Sequence, residues 1–217
     1  MHIEFCVEDS STVKLLDYII PKILGENGVR HSWRLHSYKG VGRIPRNLIP
    51  RTDASKRVLL DQLPKLLRGF GKTQGVDMIV VVLDSDNRDC THFLCELKKM
   101  VEACEMESKT LLRLAVEETE SWYFGDRKAL KEAYPRAKDK VLDQYVQDSV
   151  CGTWERLADA THPGGSQAIE KSGWPASGQL KHEWAEKIGK LMEPDRNLSP
   201  SFGKLRDGLR RIVMCEV

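Results

Sequence analysis

What the chain lacks narrows the field first. Its 217 residues contain nothing near 18 consecutive apolar positions, so no membrane-spanning helix is expected. The first residues, "MHIEFCVEDSS", carry an acid at position 4 and no apolar run behind a basic one. That is not the pattern of a secretory signal, and a cytoplasmic location is expected. The six cysteines, Cys6, Cys90, Cys95, Cys104, Cys151 and Cys215, form no C-x-x-C pair. A zinc knuckle is therefore not indicated, and reduced, partly buried thiols are expected. No repeat or low-complexity tract occurs. An excess of charge of one sign is also missing: 34 Lys and Arg face 32 Asp and Glu. Net charge alone therefore argues neither for nor against a nucleic-acid partner.

The distribution of charge says more than its sum. Residues 30–57 hold Arg30, Arg34, Lys39, Arg43, Arg46, Arg51, Lys56 and Arg57 against one acid, Asp53. Residues 101–120 hold six glutamates against Lys109 and Arg113. A dense basic stretch is either a solvated face or a phosphate-binding surface. At 41% hydrophobic and 30% charged, the composition is that of an ordinary soluble globular protein.

Periodicity places the elements. "HIEFCVE" alternates as a strand ending at Glu8, and "DSSTVKLLDYIIPKIL" follows as a helix capped by Ser10, Ser11 or Thr12. "HSWRLHSY" reads as a second strand, "KGVGRIPRNLIPRTD" as a loop, and "ASKRVLLDQLPKLLRGFG" as a helix kinked or divided at Pro64. Ile79–Leu83 is short and apolar on both faces, as a central parallel strand requires. A helix at 90–104, a strand at 110–118 and a helix at 120–134 follow. "THPGGSQ" and "SGWPASGQ" look like turns, the first holding a structural His162. This alternation predicts an α/β fold, a parallel sheet flanked by helices. Residues 1–125 form the expected core and 126–217 a helical C-terminal extension, together one compact domain. Trp122, Trp154, Trp174 and Trp184 are expected to pack rather than to stack on bases.

The third strand runs straight into Asp84-Ser85-Asp86. In parallel α/β sheets, ligands bind beyond the carboxyl ends of the strands. Glu8 closes the first strand, and Glu117, Glu118 and Glu120 follow the last. Each acid has an ordinary alternative: Asp84 and Asp86 could cap the next helix, and the three glutamates could favour a helix start. Gathered on one edge, carboxylates repel unless a hard cation relieves them. Oxygen-only ligands suit Mg²⁺ or Mn²⁺. Spacing further predicts that Glu117 and Glu120 share a helix face and that Glu118 points away. An EF-hand is excluded, because Arg88 and Asp89 stand where its loop needs a ligand and a glycine.

These residues in this order resemble a Toprim domain, the metal-binding module of topoisomerases, primases and OLD-type nucleases. "FCVED" supplies Glu8, "VVLDSD" supplies Asp84 and Asp86, and "AVEETESWYFGD" is similar to the Glu-x-x-Glu-x-Trp element of a family of small Toprim-like bacterial proteins. "NLSPSFGKLRDGLRRI" resembles that family's tail. Asp9 departs from the family's glycine. The resemblance implies a Toprim-like fold and a metal-dependent phosphodiester hydrolase, nuclease-like and acting on nucleic acid. Glu8, Asp84, Asp86, Glu117 and Glu120 would be catalytic, and the first three would bind the metal. Lys39, Arg43 and Arg46 are the candidates for holding substrate phosphate. It also implies a phage-defence module with an ATPase encoded nearby. The competing reading is a non-catalytic partner or regulator of that ATPase. Haloacid-dehalogenase phosphatases and sugar-nucleotide transferases also use D-x-D. The first usually opens the chain with it, and the second leaves Glu8, Glu117 and Glu120 without a role.

Overall fold

The computed structural model describes residues 1–106, 108–149 and 151–214. Four strands, β1 (His2–Val7), β2 (Ser32–Ser37), β3 (Met78–Asp84) and β4 (Lys109–Ala115), make one parallel sheet in the order β2-β1-β3-β4. Ten α-helices among the described residues accompany it. They are α1 (Ser10–Leu24), α2 (Leu59–Gly71), α3 (Cys90–Glu102), α4 (Ser121–Gly125), α5 (Arg127–Ala133), α6 (Asp139–Gln144), α7 (Thr153–Thr161), α8 (Gly165–Ser172), α9 (Trp174–Lys187) and α10 (Pro200–Met214). The expected α/β class holds. None of the described helices is long and apolar enough to cross a membrane.

The chain divides into two compact units: Met1–Val13 with Gly25–Leu114, and Lys14–Leu24 with Ala115–Val217. The boundary falls before residue 115 rather than after 125, and most of α1 goes with the second unit.

In the first unit, all seven residues of β3 are buried, which is why this stretch shows no alternation. One core cluster joins Cys6, Ile79, Val81 and Leu83 to Leu59, Leu63 and Leu67 of α2 and to Phe93, Leu97 and Met100 of α3. Of the two expected effects of Pro64, division does not occur: α2 runs through it. An interior proline costs about 3 kcal/mol. The four leucines Leu59, Leu60, Leu63 and Leu67, almost wholly buried, contribute about 1.5–3 kcal/mol each and outweigh it. Helix α1 is capped by Asp9 rather than by Ser10, Ser11 or Thr12: its carboxylate accepts the Thr12 N–H at 2.8 Å and the Ser11 hydroxyl at 2.7 Å. The described cysteines are free, with Cys6 and Cys104 buried and Cys95 and Cys151 exposed, while Cys215 lies outside the described residues.

In the second unit, the expected helix at 120–134 is two helices meeting at Asp126. That side chain is fully buried and accepts four bonds: the N–H groups of Ala129 and Glu193, and the Arg196 guanidinium through both oxygens at 2.7 and 2.8 Å. The expected turn "SGWPASGQ" is mostly helix. Gly173, at φ 82°, makes the break, and α9 starts directly after it with Pro175 in its first turn. The His162 Nδ1 accepts the Gly164 N–H at 3.2 Å. Trp122 and Trp184 are fully buried and donate to Ser201 and Thr161 hydroxyls. The Trp174 side chain lies outside what the structure describes.

Removing the fully buried Asp126 carboxylate leaves the N–H groups of Ala129 and Glu193 and the part-exposed Arg196 guanidinium without their acceptor, at about 1–3 kcal/mol for each buried group left unpaired. Asp126→Ala is expected to lower stability by about 3 kcal/mol or more, measured by urea unfolding. A loss below about 1 kcal/mol would show that Asp126 does not organise this unit.

Candidate functional site

Parallel pairing sets the site. β1 and β3 run in register from Ile3 against Met78 to Val7 against Val82. Glu8 and Asp84 therefore leave the sheet at the same edge. The Glu8 Oε2 accepts the Asp84 backbone N–H at 3.1 Å. Asp84 is buried and Glu8 half-buried. The capping alternative for Asp84 and Asp86 falls away, because the cap of α3 is Asp89, whose carboxylate accepts the His92 N–H at 2.7 Å.

Asp86 sits in the left-handed region at φ 49°, is exposed, and pairs with Arg88 at 2.9 Å. Among the described residues, no three His, Cys, Asp or Glu side chains are grouped to hold a metal ion. The expected ligand trio of Glu8, Asp84 and Asp86 is thus not assembled, because Asp86 turns to Arg88. An exposed pair of this kind is worth about 0–1 kcal/mol, so Asp86 can leave it at little expense. Glu8 and Asp84 alone suit a hydrated Mg²⁺ or Mn²⁺, which typically takes one or two carboxylates and keeps several waters.

The basic loop that follows β2 begins at this same edge. The Tyr38 N–H donates to the Val7 carbonyl and the Gly40 N–H to the Glu8 carbonyl. Gly40 and Gly42 hold φ of 87° and 70°. A Cβ on Gly42 would stand 2.1 Å from Val58 Cγ1, so the turn needs glycine. Lys39, Arg43 and Arg46 are exposed, as are the other five cations of residues 30–57. Asp61, missed in the sequence, ties the far end of this loop to α2. Its buried carboxylate accepts the N–H groups of Arg51 and Thr52, the Thr52 hydroxyl and the Gln62 amide. Burial pushes its pKa up, but these bonds together outweigh it and hold the carboxyl below the usual range.

Glu117, Glu118 and Glu120 belong to the second unit, and their arrangement differs from the expected one. Glu117 is not helical. At φ 61°, its two oxygens accept the N–H groups of Gly152 and Thr153, each at 2.9 Å. Glu118 accepts the Trp154 N–H, so together the two glutamates satisfy the start of α7. Glu118 pairs with Glu120 rather than pointing away from it, because Lys181 Nζ lies 3.0 Å from the first and 3.2 Å from the second. Lys181 comes from α9, 61 residues beyond Glu120, and no local motif announces it. With Trp154, Ile169 and Ser177, Glu118 and Lys181 line a cavity of about 310 Å³. A cleft of about 820 Å³ in the first unit, lined by Arg68, Lys72 and Asp77 among others, lies at the opposite, amino-terminal edge of the sheet.

The fold and the edge define a parallel α/β protein with paired carboxylates at the carboxyl ends of its central strands. Within that class, a family model described as a domain of unknown function, DUF4276, matches residues 7–210, and the chain belongs to that family. No curated protein and no solved structure matches the chain.

Burial first, and then the neighbouring Glu120, push the Glu118 carboxyl up to about 7. The folded state then holds a proton more tightly than the unfolded chain, whose glutamates titrate near about 4.3. That contribution to stability is complete below about pH 4 and is lost as pH rises through 7. Urea midpoints of the wild type are expected to carry this fall between pH 5 and pH 8, and Glu118→Gln to flatten it. An equal fall in both proteins would place the titration elsewhere.

Proposed function

We propose that the Glu8–Asp84 edge is the centre of a metal-dependent phosphodiester hydrolase, nuclease-like and acting on nucleic acid in the cytoplasm. The observation that supports it is the 3.1 Å bond from Asp84 N–H to Glu8 on the carboxyl edge, with the helix cap supplied by Asp89 instead. Asp84 thus does not serve the helix-capping use that the sequence allowed it.

Each residue has a task in this reading. Glu8 and Asp84 hold Mg²⁺ or Mn²⁺, and Asp86 joins them on leaving Arg88. When bound, the ion supplies Lewis-acid polarisation of a phosphoryl oxygen and a more acidic water. Lys39, Arg43 and Arg46 draw the phosphate backbone to the edge. Glu117 serves α7, and Glu120 and Glu118 hold Lys181 in the second unit, so the catalytic weight shifts to Glu8 and Asp84. The Toprim-like resemblance of the motifs adds the proposal of a phage-defence module with an ATPase partner. If nucleic acid is bound and never cut, the chain is that partner's non-catalytic regulator.

A ligand at 100 times its Kd stabilises the folded state by about 2.7 kcal/mol. For a chain of this size that is a rise of roughly 5–10 °C in Tm. Mg²⁺ or Mn²⁺ is expected to raise the wild-type Tm on that scale, and Glu8→Gln and Asp84→Asn to abolish both the rise and the cleavage of an oligonucleotide. A wild type that shows neither would end the hydrolase reading.

A further inference from the structure

Arg57 closes the basic segment in an unusual conformation. Its φ of 52° lies in the left-handed region, which side chains other than Asn, Asp and His seldom adopt. Strained positions of this kind cluster at ligand sites. Its carbonyl accepts the Lys39 N–H at 2.8 Å. Its guanidinium lies over the Tyr38 ring, 5.6 Å from the centroid, and donates to the Ser37 carbonyl. Two bonds thus fasten Arg57 to the end of β2, and the next residue along, Gly40, is bonded to the Glu8 carbonyl.

The order across the carboxyl edge follows from the strand order β2-β1-β3. Lys39 and Arg57 lie beyond β2, Glu8 beyond β1, and Asp84 beyond β3. Arg88, Arg127, Arg196 and Arg210 each pair with a carboxylate. Arg57 pairs with no carboxylate among the described residues and is held instead by an aromatic face and a carbonyl. A planar guanidinium offers parallel N–H groups that match two oxygens of a phosphate.

We propose that Arg57 is the group that receives a phosphate oxygen at this edge, with Lys39 beside it and Tyr38 as its positioning residue. Arg43 and Arg46 then supply general attraction only. This rests on the phosphodiester reading of Glu8 and Asp84 and names the anion-receiving half of that site.

The test compares Arg57→Asn, Arg57→Lys, Tyr38→Leu and the double variant Arg43→Ala/Arg46→Ala. Each is assayed for duplex-oligonucleotide binding against salt, for Mn²⁺-dependent cleavage at saturating oligonucleotide, and for Tm. Asparagine tolerates φ near 50°, so Arg57→Asn is expected to melt close to wild type while kcat falls by roughly 10²-fold or more. Arg57→Lys restores part of that loss, and Tyr38→Leu lowers kcat less than Arg57→Asn. The double variant flattens the salt slope by about two. If Arg57→Asn melts far below wild type, Arg57→Lys and Tyr38→Leu decide: wild-type kcat in both overturns the assignment. A wild type that cuts the oligonucleotide while Arg57→Asn cuts equally well removes Arg57 and leaves the hydrolase reading standing. A wild type that neither binds nor cuts removes both.

Discussion

Parallel pairing of β1 with β3 is the constraint on which the candidate site depends. A parallel sheet sends every strand end to the same edge, and register decides which residues meet there. With Val7 opposite Val82, Glu8 and Asp84 emerge together and bond at 3.1 Å. A slip of one residue would move either strand's side chains to the other face of the sheet. The buried run from Met78 to Leu83 holds that register, because every one of its side chains is in the core. The hydrophobic strand and the acids that end it are therefore one device: the first anchors the position of the second.

The carboxylates of the chain divide by what they already do. Asp9 and Asp89 cap α1 and α3, Glu117 and Glu118 serve the start of α7, Asp61 ties down the basic loop, and Asp126 holds Arg196. Those are structural uses, each satisfying backbone N–H groups. Glu8 accepts the Asp84 N–H and Asp86 pairs with Arg88, at a strand edge that also carries the start of the basic loop. Cations on one flank and acids on the other suit a ligand that bears negative charge and binds beside a divalent ion. A phosphodiester has that character.

The strands were legible because short β-rich runs have one solution in a parallel sheet, and the edge acids because Glu8 and Asp84 directly end such runs. The helix at 120–134 was misread because its apolar pattern runs through Asp126, whose capping role depends on Arg196, 70 residues away. The turn at 172–179 was misread because Gly, Pro and Ser also suit the first turn of a helix that starts after Gly173. Glu118 and Glu120 were separated by helical spacing, yet Glu118 precedes the helix, and Lys181 from α9 draws both acids together. In the first and last of these cases the deciding partner is remote in sequence, and local periodicity carries no trace of it.

The central claim is that Glu8 and Asp84 hold a divalent cation. Anomalous scattering from crystals of the full chain grown with Mn²⁺ tests it most directly. The account predicts a peak with a carboxylate oxygen of Glu8 and one of Asp84 about 2.0–2.2 Å away, Asp86 having left Arg88 to join or to face its waters. A strong peak only at other residues, or none at this edge at saturating Mn²⁺, would contradict it.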